Sequence, residues 1–350
     1  MKNVIWICGA VLICLGAGCS KSSSTPTPPK TTDTTYTPPA VASTFAKGAD
    51  ISWVTQMEAS SYKFYSSSGQ QEDLFALMKS LGMNSIRLRA WVNPVGGWCN
   101  TTDLVSKAIR AKNAGMKILI DFHYSDTWAD PGDQNKPAAW ANLSTANLIT
   151  TMASYTVGVM DTLKLNGITP DWVQVGNETS NGMLWPDGEA SINMANFAAM
   201  ILADYNAVKS VSSTTKVIVH LANGYDNTTY TWLFDGLKSN GAKWDIIGMS
   251  LYPTISNYTT LDQECLANIN SMVSRYGTPV MVVEVGMEED QALITRDYLT
   301  DIITKVNSVA NGNGLGVFYW EPEAYNWQNY GLGAFTTAGK PTIALNAFAN

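Results

Sequence analysis

The feature that most constrains this chain is a unit that recurs from about residue 45 to the C-terminus. Each unit contains a short apolar stretch, a polar loop, a helical pattern and a turn. The helical segments, such as QEDLFALMKSL and DLVSKAIRAKNA, carry apolar residues at i, i+3 and i+4, as helices with one buried face do. The apolar stretches are short enough to be strands. The eight predicted strands are KGADIS, NSIRLRAW, MKILIDFH, DWVQVGNE, KVIVHLA, DIIGMSLY, PVMVVEV and LGVFYW.

Glycine stands near the helix end in six of the seven helix-to-strand turns, as a left-handed helix cap requires. These glycines are Gly82, Gly115, Gly167, Gly241, Gly277 and Gly314. Eight strands that alternate with helices over roughly 300 residues predict the α/β class and a (β/α)8 TIM barrel in one catalytic domain. The alternative is a doubly wound open sheet, which is disfavoured because no glycine-rich phosphate fingerprint follows the first strand.

The N-terminal part of the chain has a different composition. Residues 1–18 are dominated by the apolar run VIWICGAVLICLGAG, which is too short to span a membrane and is typical of a signal peptide. Small residues before Cys19 resemble a bacterial lipobox, although Gly16 stands where Leu is usual. We predict a lipoprotein signal at 1–18 and lipid modification of Cys19, with plain secretion as the alternative. Residues 19–44 are rich in Ser, Thr and Pro and are a predicted tether, and 45–350 form the domain.

This arrangement predicts a protein of the bacterial cell envelope, held by a lipid anchor at the outer membrane. The formal net charge is −7, and no basic patch suited to phosphate groups is visible, so nucleic acid is not an expected partner. Cys99 and Cys265 remain in the domain, where we expect two unpaired thiols rather than a disulfide. With only two histidines in the chain, zinc would lack a third ligand, and we expect no metal and no cofactor.

Polar or aromatic residues stand at the C-terminal ends of the predicted strands. In a barrel these ends form the mouth, where substrates bind. The set comprises Asp50, Arg87, Arg89, His123, Asn177, Glu178, His220, Tyr252, Glu284 and Trp320. One polar strand end carries little information, but a ring of them predicts a functional site.

Two of these residues, Glu178 and Glu284, are carboxylates at the ends of apolar stretches, where a charge is disfavoured unless it is paired or functional. The alternative to a functional role is that each glutamate is held in an ion pair with Arg87 or Arg89. Two carboxyls in one pocket suit glycoside hydrolysis, with one as proton donor and one as nucleophile. Asn177 is placed to bind a sugar hydroxyl, and an arginine near Glu284 would keep that carboxylate ionised.

Longer motifs make the resemblance to a known family strong. KGADISWVTQME, IRLRAWVNP, DFHYSDTWADPGDQNKPAAW, VGNETSNGMLWPDG and GVFYWEP closely resemble glycoside hydrolase family 53, the endo-β-1,4-galactanases, from about residue 46 onward. The resemblance implies a (β/α)8 barrel with Glu178 as acid/base and Glu284 as nucleophile of a retaining, double-displacement reaction. It implies a polysaccharide partner, the β-1,4-galactan of type I arabinogalactan in pectin.

Two segments depart from the family pattern. VGMEEDQAL follows the predicted nucleophile instead of a small residue and an aromatic loop, and Leu251 precedes Tyr252 where a second Tyr is usual. Some relatives bind calcium in late loops, but no spaced acidic calcium loop is present here. We predict that Glu288, Glu289 and Asp290 begin a helix, where acidic groups favour the N-terminal dipole.

The remaining candidates concern substrate contact. We expect His123 and His220 to hydrogen-bond sugar or a catalytic carboxylate, Asp50 to bind sugar or an arginine, and Tyr252 to orient Glu284. Trp128, Trp185 and Trp320 are predicted to stack on sugar rings, and Tyr155, Trp172 and Trp244 to pack in the core.

The alternative functions are another β-glycanase of the same clan, acting on mannan or cellulose, and a non-catalytic glycan-binding lipoprotein. The presence of both glutamates argues against a degenerate enzyme. We expect a monomer.

Overall fold

The computed structural model describes residues 36–349, and within them eight parallel strands close into a barrel. The strands are β1 (Ala46–Asp50), β2 (Ser85–Ala90), β3 (Lys117–Phe122), β4 (Trp172–Val175), β5 (Lys216–Leu221), β6 (Ile246–Leu251), β7 (Val280–Val285) and β8 (Gly314–Trp320). Each strand pairs with its neighbours in chain order, and β1 closes the ring by pairing with β8. The predicted (β/α)8 barrel is confirmed, and the open-sheet alternative is wrong.

Helices connect the strands on the outside. They are α1 (Val54–Ala59), α2 (Leu74–Ser80), α3 (Thr101–Asn113), α4 (Thr145–Leu165), α5 (Ala190–Val211), α6 (Asn227–Ser239), α7 (Tyr258–Tyr276) and α8 (Ala292–Asn307). Side-chain caps fix several helix starts, because a short polar side chain can accept from free backbone N–H groups there. Asp73 accepts from two such groups at the start of α2, and Asn100 and Ser144 cap α3 and α4.

The predicted glycine caps are mostly correct. Gly277, for example, ends α7 in the left-handed conformation, with φ 65°. Gly314 differs, since it is the first residue of β8 and does not have a positive φ. A Cβ at this position would lie 1.8 Å from the carbonyl oxygen of Val306, so the close approach of α8 is what requires glycine here.

The barrel interior has two layers with different chemistry. Strand side chains alternate between the inside and the outside, so every second residue points inward. The lower layer is apolar, and Phe318 fills the space that a side chain at Gly48 would otherwise occupy. The upper layer, at the C-terminal ends of the strands, is polar and consists of Asp50, Arg87, Asp121, Gln174, His220, Ser250 and Glu284.

The predicted core aromatics lie in the interior as expected. Trp172 is buried in the apolar layer of the barrel, and Tyr155 and Trp244 pack, partly buried, against the larger core between barrel and helices. Cys99 and Cys265 are both buried free thiols, as predicted.

One prediction about the late loops is wrong. Glu288, Glu289 and Asp290 do not begin a helix, because α8 starts at Ala292. The backbone in this segment is used differently: the amide of Glu289 donates to Gly331, and that of Gln291 closes a turn onto Glu288.

The predicted signal peptide and Cys19 lie outside the described residues. At the described end of the predicted tether, the amide of Ala42 donates to the Asn307 side chain at 3.1 Å. Among residues 36–349, no helix is both long and apolar enough to cross a bilayer. The same part of the chain contains no cluster of three or more His, Cys, Asp or Glu side chains suited to a metal ion.

Candidate active site

A cavity of about 310 Å³ opens at the C-terminal ends of the barrel strands. It is lined by His123, Trp128, Ala129, Asp130, Asn177, Glu178, Tyr252, Glu284, Trp320, Tyr330 and Leu332. Seven of these residues are in the predicted set, and both predicted catalytic glutamates are among them.

Five other predicted residues do not line this cavity. Asp50, Arg87, Arg89 and His220 are at most 1% exposed and lie in the surrounding framework. Trp185 belongs to the loop after β4, where its indole N–H donates to the carbonyl of Asn181. Direct contact of these five residues with substrate stays a prediction.

Arg87 is the centre of the polar layer. Its guanidinium lies 2.8 Å from Asp50, 2.9 Å from Asp121 and 2.7 Å from Glu284. It also donates to the side-chain oxygen of Asn177 at 2.9 Å. Arg87 therefore connects Glu284 to the residue before Glu178, while Arg89 pairs with a different carboxylate, Glu321, at 3.1 Å.

Glu284 projects inward from β7 and has two partners that stabilise its anion. One oxygen pairs with Arg87, and the other accepts the Tyr252 hydroxyl at 2.9 Å. Burial raises the pKa of Glu284, the positive charge of Arg87 lowers it, and the charge of Glu178 raises it again. Together these effects raise the pKa of Glu284 to about 8. When Glu178 is protonated, its contribution vanishes and the pKa of Glu284 falls.

Glu178 occupies a different environment. The strand β4 ends at Val175, and Glu178 follows in a turn with φ 45°, the left-handed region that non-glycine residues rarely adopt. Burial raises the pKa of Glu178, and the nearby negative charge of Asp130 adds to this, while a hydrogen bond from Ser250 and the more distant Arg87 oppose it.

The two carboxyls therefore differ in their preferred protonation state. Their titrations are coupled, so the pair holds one proton over an intermediate pH range. Because a salt bridge and a phenolic donor stabilise the anion of Glu284, the geometry favours the proton on Glu178. A protonated acid beside a carboxylate is the arrangement that acid-assisted cleavage with nucleophilic attack requires.

Both histidines are neutral members of the network. His123 accepts the amide of Ala129 on Nδ1, which leaves its Nε2–H to donate to Asp121 at 2.9 Å. His220 accepts the amide of Glu178 on Nδ1 and faces Ser250 with Nε2 at 2.7 Å. Burial lowers the pKa of both imidazoles.

One side of the cavity is an aromatic wall. The ring centroids of Trp128 and Trp320 are 5.8 Å apart, and Tyr330 lies 5.0 Å from Trp320. Behind the wall, the Arg89 guanidinium lies 4.4 Å from the centre of the Trp128 ring. Such a cation holds an indole by attraction to its π-face. Flat apolar faces of this kind suit the C–H surface of a sugar ring.

Several residues in and around the cavity were not predicted from the sequence. Asp121 and Gln174 are polar residues within apolar strands, the same signal that pointed to Glu284, and could have been found in that way. Tyr330 comes from the segment after β8, which has no periodicity that would place it near the cavity.

Two further buried carboxyls, Glu321 and Glu323, follow β8 directly. Glu321 accepts the Trp53 backbone amide and pairs with Arg89, and so supports the aromatic wall from below.

A (β/α)8 barrel whose mouth holds two carboxyls, one buried and one partly buried, in an aromatic-walled cavity is typical of the class of glycoside hydrolases. Comparison with known proteins supports the same class. The chain belongs to glycosyl hydrolase family 53, whose family model matches residues 46–339.

Individual relatives span most of the chain. It is 36% identical to the probable arabinogalactan endo-β-1,4-galactanase A of Neosartorya fischeri, an alignment that covers 84% of this chain and 88% of that protein. It is 33% identical to the arabinogalactan endo-β-1,4-galactanase of Humicola insolens, with coverage of 86% and 98%. A solved structure of a fungal β-1,4-galactanase superposes with a TM-score of 0.81 at 32% identity, covering 88% of this chain and 99% of that one.

Proposed function

We propose that this protein is a retaining endo-β-1,4-galactanase that cleaves the galactan side chains of pectin. The observation that carries the proposal is the asymmetric carboxyl pair: Glu284 is bound by Arg87 and Tyr252, whereas Glu178 has no cation in direct contact among the described residues. The galactan specificity rests on family membership and on the activities named for the relatives.

In the first step, a carboxylate oxygen of Glu284 attacks the anomeric carbon of a galactosyl unit. The bond from that carbon to the glycosidic oxygen breaks, and Glu178 transfers its proton to the departing oxygen. Arg87 and Tyr252 hold the nucleophile in place, and Asn177 is placed to bind a hydroxyl of the same sugar.

In the second step, water attacks the anomeric carbon of the galactosyl–enzyme ester. Glu178, now ionised, removes a proton from the water, and Glu284 leaves as the carboxylate. Two inversions at the same carbon give net retention. The aromatic wall of Trp128 and Trp320 supports the sugar rings during both steps.

The function is tested by the release of reducing ends from purified β-1,4-galactan, with mannan and cellulose as competing substrates. We expect hydrolysis of galactan and little release from the other two. Glu284→Gln keeps the shape of the side chain but removes the nucleophile and serves as the matched control. Preferential cleavage of mannan or cellulose would overturn the galactan assignment, and binding without release from any polymer would indicate a glycan-binding protein.

The retaining mechanism has a stereochemical readout. The first sugar product observed by NMR during galactan cleavage is expected to be the β-anomer, before mutarotation mixes the two forms. This requires carboxyls spaced for direct attack, about 5 Å apart. An initial α-anomer would show that water attacks directly and that Glu284 acts as a base.

We further propose that the protein is a monomer that is anchored to the bacterial cell envelope through lipid on Cys19. The anchor is supported by the apolar segment before Cys19 and by the Ser/Thr/Pro-rich stretch that follows it.

A further inference from the structure

Gln134 ties together the two loops that follow β3 and β4. It is only 2% exposed, although it lies in a loop. Its side-chain amide donates to the carbonyl of Asn177 at 2.8 Å and to that of Asp130 at 3.0 Å. The side-chain amide of Asn177 in turn donates to the carbonyl of Ala129 at 2.8 Å. Each loop thus uses a buried amide to bind the backbone of the other.

The carbonyl that Gln134 binds belongs to the peptide bond between Asn177 and Glu178. The N–H of the same peptide donates to Nδ1 of His220 at 3.3 Å. Both polar groups of this peptide are therefore held by buried side chains from other parts of the barrel mouth. Among the described residues, Gln134 is the side chain that binds the carbonyl.

This peptide needs external support because Glu178 has a φ of 45°. A side chain with a Cβ is strained in this region, and such a conformation persists only where the surroundings enforce it. The backbone at Glu178 also sets the direction of its side chain. A proton donor must lie within hydrogen-bond reach of the leaving oxygen, so the orientation of this peptide determines whether Glu178 can act.

We propose that Gln134 is a positioning residue for the acid/base Glu178, a role that rests on the proposed function. Gln134 holds the Asn177–Glu178 peptide so that the carboxyl of Glu178 points at the glycosidic oxygen. Without its donor, the carbonyl of Asn177 is left buried and unpaired, and the peptide can rotate to find another partner.

The test compares substrates with poor and good leaving groups. Gln134→Met has nearly the same shape as glutamine but no donor. We expect kcat/KM on galactan, whose leaving sugar needs a proton, to fall by about 10- to 100-fold, the scale that a displacement of roughly 1 Å produces. On a dinitrophenyl β-galactobioside, whose leaving group needs no proton, we expect kcat/KM to change less than about threefold.

Lys136 provides a matched control within the same two loops. Its ammonium pairs with Asp187 at 2.8 Å, which also joins the loop after β3 to the loop after β4, but it does not touch the Asn177–Glu178 peptide. Lys136→Met should leave the ratio of the two kcat/KM values as in the wild type. A selective effect of Gln134→Met, absent in Lys136→Met, supports the positioning role.

Thermal melting monitors folding of each variant. If Gln134→Met does not fold, Gln134→Asn replaces it, since the shorter amide stays polar but cannot reach the carbonyl. In whichever variant folds, a selective loss of kcat/KM on galactan supports the proposal. An equal loss of kcat/KM on both substrates, or no loss, overturns it. A wild-type protein inactive on both substrates overturns the proposed function itself, and the positioning role with it.

Discussion

At the scale of single residues, the proposed active site depends on two glutamates that have different contacts. Glu178, which is partly buried, and Glu284, which is buried, lie in one cavity, and among residues 36–349 only Glu284 has a cation in direct contact. Arg87 and Tyr252 offset part of the free energy that opposes ionisation of buried Glu284, and this difference in contacts favours the proton on Glu178.

The acid role that we propose for Glu178 predicts a dependence of the rate on the leaving group. Glu178→Ala should nearly abolish cleavage of galactan, because the departing sugar oxygen is then not protonated. Formation of the galactosyl–enzyme from an activated aryl galactoside should be spared. The measurement is kcat/KM on both substrates, and equal losses would contradict the acid/base assignment.

A second prediction concerns the pH profile. The carboxylate of Asp130 lies near Glu178 and raises its pKa, so Asp130→Asn should lower the pKa of Glu178. The acid must be protonated to act, and the alkaline limb of kcat/KM on galactan should therefore move to lower pH. Asp133→Asn, in the same loop, is the control. An alkaline limb at the same pH in both variants would show that Asp130 does not tune the acid.

The sequence was sufficient to place Glu178 and Glu284 at the mouth of the barrel, whereas some of their contacts were not predictable. Glu284 interrupts an apolar strand, which is a visible signal. Arg87 and Arg89 both point into the barrel from β2, so alternation does not distinguish them. The distinction arises from the neighbouring strands, because Asp50 and Asp121 flank Arg87, whereas Arg89 meets Glu321 from the end of β8.

At the scale of elements, strands and helices were predictable because local periodicity follows burial. The turn after β4 was not, since nothing in the local pattern requires a positive φ at Glu178. Its conformation depends on Gln134 and His220, which are distant in sequence. The loop before α8 was misjudged for a similar reason, because Gly331 binds its backbone from a later segment.

The packing of α4 against α5 contains a titratable group. Asp204 on α5 is fully buried and accepts the Thr156 hydroxyl from α4 at 3.0 Å. Tyr124, which follows β3, contacts the same hydroxyl at 2.9 Å. Burial raises the pKa of Asp204 to about 7, so the neutral carboxyl is the form that suits this site.

This group should make stability depend on pH. A carboxyl with a raised pKa contributes stability that is complete below its unfolded value, near pH 4, and is lost as the pH rises through about 7. The difference in free energy of unfolding between wild type and Asp204→Asn should therefore shift against the wild type from pH 5 to pH 9, by about 3 kcal/mol. Urea denaturation at both pH values measures it, and a constant difference would contradict the raised pKa.

At the scale of the whole molecule, the barrel and the N-terminal segment have separate predicted tasks. If Cys19 carries lipid, the full chain should partition with membranes, and Cys19→Ala should move it to the soluble fraction. Galactan cleavage by the variant should stay unchanged, because the active site lies entirely within the barrel. Fractionation of cells expressing each form provides the measurement, and wild-type protein found wholly in the soluble fraction would contradict the anchor.

The closure of the ring between β1 and β8 also sets an order of events in synthesis. A chain that emerges N-terminus first presents β1 long before Gly314–Trp320, the strand that pairs with its open edge. Phe318, which fills the space above Gly48, and the Phe348 carbonyl, which accepts the Lys47 ammonium at 2.7 Å, arrive equally late. The nascent chain cannot complete its catalytic cavity until nearly the whole chain has been made. We therefore expect the protein to have no catalytic activity until translation is almost finished.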